Sequence, residues 1–424
     1  MTRRETVKIN LNKLSLSKTF LPILFVGMFG LIGLTVLIST HAATQTANFE
    51  AENGTKSGNA TTVTDASASG GSAIKFASSG QVSACTGTAP STYAYNPMNG
   101  RSWPTTYGQS YIATWKDDKI AATTLTIDDN VVADHAFWKQ KAQETGFKFT
   151  WFVVTGQDSN GKLMTGATWD DFRALYALGH SIQSHTVTHS SPVTTAEMQQ
   201  SQIDIQRGIG VKPVTIAYPD GDTANEAGAA LYYIAGRSTV GWLNPYKPSD
   251  YMAVNSLSDY MNTDSPNNYN YAPAILDKSF TQDSGTDFYR GWMSIHYHSI
   301  AGDETNVQNH LNWLKAREAD IWIAGFDHVA AYARERDVAA LSVAAAGTNC
   351  VAFTVTDDLN NTDYSEPLTV KVRLQDSGNW PNVSAQQNGK AVSAKIVTNG
   401  SNVYALVDAV PDAGPVTVYN PSFN

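Results

Sequence analysis

Short runs of β-branched and aromatic residues alternate with amphipathic stretches through the middle of the chain. Residues 121–128 and 148–155 have the composition and length of buried strands. Each is followed by a stretch with apolar positions at helical spacing. Because this strand–helix unit repeats, we expect a parallel sheet with helices outside, either open and doubly wound or closed into a barrel. The further predicted strands are 180–185, 214–218, 292–298 and 321–324, and the predicted helices are 132–145, 168–178, 194–209, 224–235 and 305–318.

Two parts of the chain depart from this rhythm. Residues 243–290 are rich in Asn, Pro, Asp and Tyr and are predicted to form long loops over one rim of the sheet. From residue 346 onward, short apolar strands alternate with turns, and helical spacing is lost. This pattern predicts a small antiparallel β-sandwich over residues 346–424. Its predicted strands are 351–356, 368–374, 391–398, 402–407 and 416–419.

The N-terminus has the pattern of an export signal. Basic residues between Arg3 and Lys18 precede an apolar run over residues 20–38, and the small residues Ala42 and Ala43 follow. The run is longer than a usual signal-peptide core and nearly long enough to cross a bilayer, so cleavage and retention as a membrane anchor both stay open. We expect an exported protein, secreted or anchored to the outer face of the cytoplasmic membrane.

Residues 44–95 are rich in Ala, Ser, Thr and Gly and contain few large apolar side chains. Segments 49–54 and 66–76 resemble the opening strands of β-sandwich carbohydrate-binding modules, but the match is far shorter than a complete module. We therefore interpret this region as a linker with some strand character. The predicted organisation is a signal or anchor over 1–43, the linker over 44–95, the barrel domain over 96–345 and the sandwich over 346–424.

Composition narrows the classes of partner. A chain of 424 residues, with 42% hydrophobic and 16% charged residues, is long enough for more than one folded domain. Its formal net charge of −9, with no basic block in the body of the chain, argues against a nucleic-acid partner. The sequence does not specify an oligomeric state. Cys85 and Cys350 lie on either side of the predicted barrel and could pair in an exported protein, with two free thiols as the alternative.

Candidate chemistry lies at the ends of two predicted strands. Asp128 and Asp129 close the first strand, and His185 and His189 follow a later one. Parallel α/β folds place their active sites at the carboxyl ends of strands, so we expect these side chains to meet. One carboxylate and two imidazoles are a common ligand set for Zn²⁺ or a similar divalent ion. The second carboxylate would then stay unbound and act as a general base toward a water molecule.

Four motifs resemble those of the polysaccharide deacetylases, the NodB-homology family of carbohydrate esterase family four. Segment 126–130 (Thr-Ile-Asp-Asp-Asn) is similar to the family's Thr-Phe-Asp-Asp-Gly, and segment 185–189 matches its His-Ser/Thr-x-x-His. Segment 217–221 (Ala-Tyr-Pro-Asp-Gly) resembles a variant of the third motif, and 292–299 resembles a late strand that carries a catalytic histidine. The resemblance extends over residues 121–336. It implies a distorted (β/α) barrel with fewer than eight complete repeats.

The resemblance also implies a role for each matching residue. Asp128 would be the general base, and His298 would protonate the leaving group, with His296 as the alternative acid. The backbone N–H of Asp220, together with the metal, would stabilise the oxyanion. The metal ligands would be Asp129, His185 and His189, with Zn²⁺ as the expected ion and Co²⁺ or Ni²⁺ as alternatives.

The chain departs from the family pattern at three places. Asn130 replaces the usual Gly, but Asn also tolerates a left-handed backbone, so we expect the turn to persist. Ala217 stands where many members have an arginine that holds the base. Arg237 is our candidate for a replacement, and the alternative is that Arg237 is a surface residue. The family's Asp-Trp motif before the last strand has no clear match, which leaves the substrate-side wall undefined.

The sequence as a whole predicts an exported, metal-dependent hydrolase. It would remove acetyl groups from a polysaccharide with N-acetylglucosamine units, as in peptidoglycan or a chitin-like polymer. An O-acetyl esterase acting on a xylan-like glycan would share the same motifs and stays open. A catalytically silent, surface-attached glycan-binding protein is the alternative from another class, and the intact Asp and His pairs argue against it.

Overall fold

The computed structural model describes residues 60–64, 72–76, 85–90, 102–258, 274–277, 288–375 and 380–423. The chain divides into two compact units, Met1–Gly80 and Gln81–Asn424. In the first unit, β1 (Ala60–Thr64) and β2 (Ser72–Phe76) form an antiparallel pair inside the region predicted as a linker. The predicted export signal lies outside the described residues. Among the residues that are described, no helix has both the length and the apolar character needed to cross a membrane.

Eight strands within the described residues form a parallel sheet at the centre of the second unit. Its strands are β4 (Ala121–Ile127), β5 (Thr150–Val153), β6 (Ser181–Ser184), β7 (Thr215–Ala217), β8 (Ala235–Arg237), β9 (Leu257–Ser258), β10 (Trp292–Tyr297) and β11 (Ile321–Ala324). The spatial order is β8-β7-β6-β5-β4-β10-β9, and β11 pairs with the first half of β4. A bridge between Arg237 and Val254 links β8 to the segment that leads into β9, so the sheet curls back toward its own edge. The predicted parallel barrel is confirmed.

Helices connect each strand to the next from β4 to β8, and another helix connects β10 to β11. Two of them are capped by the threonines at which the predicted helices 168–178 and 194–209 begin: the Thr168 side chain accepts from the Asp171 N–H, and the Thr194 side chain accepts from the Glu197 N–H. The Asp171 carboxylate also accepts from the Thr168 N–H (2.9 Å), which completes a capping box. The principal described helices are α1 (His135–Thr145), α2 (Trp169–Ala177), α3 (Thr195–Ile209), α4 (Glu226–Ala229), α5 (Glu304–Lys315) and α6 (Phe326–Val338).

The prediction of a helix over residues 224–235 is wrong in its second half. α4 ends after one turn, and the Ile234 N–H donates to the Val214 carbonyl (2.7 Å) as the chain enters β8. Tyr233 and Ile234 are buried there. The apolar residues that suggested a helical face therefore pack at the start of a strand, and the sequence prediction missed β8, which carries Arg237.

Two antiparallel sheets follow the barrel and confirm the predicted C-terminal sandwich. Their strands are β12 (Ala340–Gly347), β13 (Cys350–Thr356), β14 (Leu368–Arg373), β15 (Ser384–Gln387), β16 (Lys390–Val392), β17 (Ala394–Asn399), β18 (Asn402–Ala409), β19 (Val416–Tyr419) and, from before the barrel, β3 (Ser110–Ile112). The five-stranded sheet has the order β12-β13-β19-β15-β16, and the four-stranded sheet has the order β17-β18-β14-β3. Buried valines from both sheets share one apolar core.

Three boundaries in this region differ from the prediction. β12 begins at Ala340, before the predicted domain limit at residue 345. β3 lies in the stretch assigned to the barrel, but it pairs with β14 in the sandwich. The strand predicted over 391–398 is two strands, β16 and β17, which are separated by Ser393 and belong to different sheets. The pairing of β3 with β14 joins segments far apart in the sequence, and local composition does not report such a contact.

A disulfide between Cys85 and Cys350 joins the segment before the barrel to the start of β13, with 5.7 Å between the Cα atoms. Of the two alternatives that the sequence left open, the structure contains the bonded pair. α6 belongs to the same apolar cluster as the sandwich strands through Phe326, Val329 and Tyr332. The barrel and the sandwich therefore share one core.

Three histidines buried away from the candidate site make stability depend on pH. Burial lowers the pKa of His135, His180 and His310 to about 4 each, against about 6.5 in an unfolded chain. Between these values the unfolded chain binds more protons than the folded chain, so the free energy of unfolding falls as the pH falls from 6.5 to 4. At about 1.4 kcal/mol per pKa unit, the loss per histidine is at most about 3.5 kcal/mol. Urea titrations at neutral pH and near the lower end of this window measure it.

His135 offers a matched control for this pH dependence. Its ring packs edge-on against Trp151 and Phe172, and neither ring nitrogen has a hydrogen-bond partner among the described residues. His135→Leu should keep the apolar contacts, raise stability at acid pH and flatten the profile. An unchanged acid slope in this variant would contradict the role given to buried histidines.

Candidate active site

A left-handed turn presents the two carboxylates at the end of β4. Asp129 and Asn130 have φ values of 63° and 56°, a conformation that Asp and Asn tolerate better than most residues. The turn brings two adjacent side chains to the same imidazole, because His185 Nε2 lies 4.0 Å from Asp128 Oδ2 and 3.6 Å from Asp129 Oδ1. Asp128 is buried, whereas the Asp129 side chain is 27% exposed.

Asn130 ties this turn to the end of β5. Its side-chain amide donates to the Val154 carbonyl (2.8 Å), and its amide oxygen accepts from the Val154 N–H (3.1 Å). The Thr165 hydroxyl donates to the Asn130 carbonyl. These bonds extend the pairing of β4 with β5 past the strand ends. The residue that replaces the family's Gly therefore holds the turn in place as well as accepting its backbone conformation, and the turn persists as expected.

Asn130→Gly should weaken metal binding without unfolding the protein. Glycine accepts the left-handed φ but removes both bonds to Val154, so the neighbouring Asp129 carboxylate loses its fixed position. Losing such an outer partner typically costs about 10- to 100-fold in metal affinity. Competition with a chromophoric chelator measures the dissociation constant for Zn²⁺, and Asn361→Gly in an exposed turn is the control. Equal affinities for Asn130→Gly and the wild type would contradict the role of this side chain.

Asp129, His185 and His189 form a group that could hold a metal ion, with one ligand atom from each lying within 4.8 Å of the others. Asp129 Oδ1 lies 3.6 Å from His185 Nε2 and 3.5 Å from His189 Nε2. In a tetrahedral zinc site with bonds of about 2.0–2.1 Å, neighbouring ligand atoms are about 3.4 Å apart, so the spacing fits. Asp129 Oδ1 is also buried without a hydrogen-bond partner among the described residues, as expected of an oxygen whose neighbour would be an ion.

His185 is oriented for metal binding by its second ring nitrogen. Nδ1 lies 2.8 Å from the Ala217 carbonyl. Because a carbonyl only accepts, Nδ1 carries the proton, and the Nε2 lone pair is left on the side of Asp129. Burial lowers the pKa of His185 to about 3, so the ring is neutral at physiological pH. Neutral imidazole is the form that binds a metal ion.

Asp128 is paired with Arg237 across the barrel. Arg237 Nη2 donates to Asp128 Oδ2, and both side chains are buried. The two residues come from β8 and the end of β4, which are separated by three strands in the sheet. Arg237 is therefore not a surface residue, and it supplies the cation that Ala217 cannot. Asp128 Oδ1 is buried and has no hydrogen-bond partner among the described residues, so one oxygen is held and the other can accept a proton.

His296 and His298 differ in exposure. His298 is 44% exposed, and its Nε2 lies 3.9 Å from Asp128 Oδ2 and 4.0 Å from Asp129 Oδ2. His296 is buried, and its Nδ1 lies 2.9 Å from the Ser256 hydroxyl. Burial, followed by repulsion from the Arg237 charge, lowers the pKa of His296 to about 3. The geometry favours His298 for proton transfer to a substrate, because its ring is accessible and lies beside both carboxylates.

Asp220 lies in the turn Pro219–Gly221 that follows β7, the neighbour of the strand that precedes His185. Its φ of 54° is in the left-handed region, and its carbonyl accepts from the Thr239 hydroxyl (3.4 Å). The amide predicted as an oxyanion donor therefore belongs to the rim of the sheet that also carries the Asp and His residues.

Two residues near the site belong to none of the sequence motifs. Ser256, which contacts His296, comes from the region predicted only as long loops, in the segment that closes the sheet. The Asp134 carboxylate accepts from the Ile300 N–H (3.0 Å) and so holds the loop that follows His298. Spacing along the sequence could not reveal either residue, because each acts through a contact with a distant segment.

A curled parallel sheet that presents carboxylates and imidazoles at its strand ends defines the class of protein: an α/β-barrel enzyme with its site on the carboxyl rim. Residues 116–234 match the family model for polysaccharide deacetylases. The matched stretch includes Asp128, Asp129, His185 and His189 and ends before Arg237.

Several known proteins are similar to this chain. A gellan lyase from Bacillus sp is 34% identical over 344 residues, which cover 74% of this chain, and the chain spans 13% of the length of that protein. The structure of the Streptococcus pyogenes deacetylase PplD in complex with acetate is 24% identical, covering 32% of this chain and 62% of that one, with a TM-score of 0.29. The Xyl-CE4 domain of a multidomain xylanase from the hindgut metagenome of Trinervitermes trinervoides is 13% identical, covering 50% and 89%, with a TM-score of 0.33.

Proposed function

We propose that the chain is a metal-dependent hydrolase that removes acetyl groups from N-acetylglucosamine units of a polysaccharide, in peptidoglycan or a chitin-like polymer. One observation carries this proposal: a buried carboxylate, Asp128, lies beside a group of metal-ligand type. One of its oxygens is held by Arg237, and the other has no partner among the described residues. A base that is fixed but not itself a ligand is what attack by water on an acetyl group needs.

Asp129, His185 and His189 would hold the divalent cation, with Zn²⁺ expected and Co²⁺ or Ni²⁺ as alternatives. When bound, the ion would supply Lewis-acid activation of the acetyl carbonyl and of a water molecule. The Asp220 N–H would donate to the carbonyl oxygen as negative charge develops there.

The remaining residues would move protons. Asp128 Oδ1 would take one proton from the attacking water, while Arg237 stabilises the charge of that carboxylate. His298 would donate a proton to the leaving nitrogen as the C–N bond breaks, so that acetate and a free amine are released. An unprotonated amine nitrogen is a much poorer leaving group than a sugar alkoxide. An accessible acid next to the base supplies the proton that N-deacetylation needs, and the similarity to a gellan lyase supports a polysaccharide as the substrate.

Export is the second part of the proposal. The basic residues and apolar run within residues 1–43 support a protein that is secreted or anchored to the outer face of the cytoplasmic membrane. A cell-wall or chitin-like polymer would be available to the enzyme there. Protease protection of the full chain in intact cells and spheroplasts tests this: export predicts digestion in both, and protection in spheroplasts would contradict it.

Acetate release from chitin oligomers, peptidoglycan and acetylxylan, measured side by side, tests the activity. The N-acetylated polymers should release acetate, a chelator should abolish the release, and added Zn²⁺ should restore it. Release from acetylxylan alone would identify an O-acetyl esterase instead. If metal-loaded protein released no acetate from any of the three, the catalytically silent glycan-binding alternative would stand and the proposed enzyme would not.

A further inference from the structure

A groove lies beside the turn that joins His185 to His189. It consists of two cavities of about 500 and 390 Å³ that share Gly156, Gln157 and Val187. We call it the Val187 groove. The lining side chains used in the argument are Gln157, Trp169, Val187, Asp204 and Arg207.

The smaller cavity adjoins the metal-ligand turn directly. Val154 and Thr165 line it, and both are hydrogen-bonded to Asn130, the residue after Asp129. Val187 lines both cavities and lies midway between His185 and His189 in the sequence. A ligand in the groove would therefore extend away from the candidate active site rather than occupy a separate place on the protein.

The larger cavity offers a fixed aromatic ring. Trp169, at the start of α2, is partly exposed and packs against Gly208 of α3, where an added Cβ would approach the indole ring to 2.4 Å. The Phe172 ring meets it edge-on, with 6.5 Å between the ring centroids. A glycine inside a helix costs up to about 1 kcal/mol relative to alanine, and here it leaves room for the ring. Helix packing thus holds the indole in one orientation beside the cavity.

Polar side chains line the same cavity as this ring. Gln157 is exposed, and the Arg207 side chain is 77% exposed, with its guanidinium 3.9 Å from the Asp204 carboxylate. Amide, carboxylate and guanidinium groups can donate to or accept from hydroxyl groups. An aromatic ring provides a flat apolar surface. Sugar rings need both, since they have apolar faces and hydroxyl edges.

We propose that the Val187 groove binds the sugar units that flank the acetylated unit in the polymer, so that the enzyme recognises a chain rather than one sugar. This inference rests on the proposed function. Each cavity falls in the size range of about 300–1,000 Å³ that holds small ligands. Because the two cavities share lining residues beside the ligand turn, together they offer room for several linked sugars rather than for one compact molecule.

Steady-state kinetics on N-acetylated substrates of different length test the groove. The double variant Gln157→Ala/Arg207→Ala removes two exposed side chains and should leave the fold intact. Its KM for a hexasaccharide should rise about tenfold, a change of about 1.4 kcal/mol in binding. Its KM for a disaccharide and its kcat on both should stay at wild-type values. Trp169→Ala should show the same split, and its KM for the disaccharide reports whether the site has survived loss of the ring. Gln206→Ala, an exposed neighbour on α3 outside the groove, is the control.

An unchanged KM for the hexasaccharide, or an equal rise for both substrates, would overturn the proposal. Failure of the proposed function is a separate outcome, in which the wild type releases acetate from neither substrate. Electrophoresis of the wild type and the double variant in gels containing soluble N-acetylated polymer then tests binding by the groove independently of activity. Retardation of the wild type that the double variant loses supports the groove, and equal mobility overturns it.

Discussion

Asp128→Asn should lower kcat for acetate release by about 10²- to 10⁴-fold, the usual contribution of a positioned general base. Asparagine keeps the shape of the side chain and can still accept from Arg237, but it cannot take a proton from water. Zn²⁺ affinity should change little, because Asp128 lies outside the group formed by Asp129, His185 and His189. Acetate assays on the best substrate of the panel and metal analysis of the same preparation measure both quantities.

Asp129→Asn is the matched control, since it makes the same chemical change one residue later. Here the metal affinity should fall first, and activity should be lost with it. Equal losses of Zn²⁺ affinity in the two variants would contradict the division of roles between the carboxylates. A kcat for Asp128→Asn within tenfold of the wild type would contradict its role as the base.

The sequence predicted the features that depend on neighbouring residues. The β-branched run that becomes β4 is buried along its whole length, as expected for a parallel strand covered on both faces. Its direction in a parallel sheet then placed Asp128 and Asp129 on the same rim as the His185 and His189 motif. The predicted helices 168–178 and 194–209 begin at Thr168 and Thr194 for an equally local reason, because each cap accepts from an N–H three residues later.

Contacts between distant segments could not be predicted. β3 joins the sandwich although it precedes the barrel, and Val254 closes the sheet from a stretch that looked like loop. The two hydrogen bonds between the Asn130 side chain and the Val154 backbone depend on how β4 lies beside β5. The sequence suggested only that Asn would tolerate the backbone conformation of the turn. Arg237 was proposed from the sequence, but the strand on which it lies was not predicted. Residues 224–235 were predicted as one helix, although the last of them begins β8. Non-local packing decided each of these cases.

Arg237→Met should lower the free energy of unfolding by about 3–5 kcal/mol, because it leaves the buried Asp128 carboxylate without its counter-charge. Methionine is of similar reach and keeps an apolar stem in the barrel. Chemical denaturation at neutral pH measures the loss. Acetate release should also fall, since Arg237 donates the hydrogen bond that holds Asp128 Oδ2. Arg207→Met, at an exposed position on α3, should leave stability within about 0.5 kcal/mol of the wild type.

The double variant Asp128→Asn/Arg237→Met separates charge pairing from packing. It removes both buried charges, so most of the stability lost in Arg237→Met should return, while acetate release stays low. The alternative source of the loss is the contact between the guanidinium and the Phe152 ring, whose centroid lies 5.5 Å away. That contact is absent from both variants. A double variant as unstable as Arg237→Met would therefore assign the stability to packing on Phe152, and Arg237 would then not be the electrostatic partner of the base.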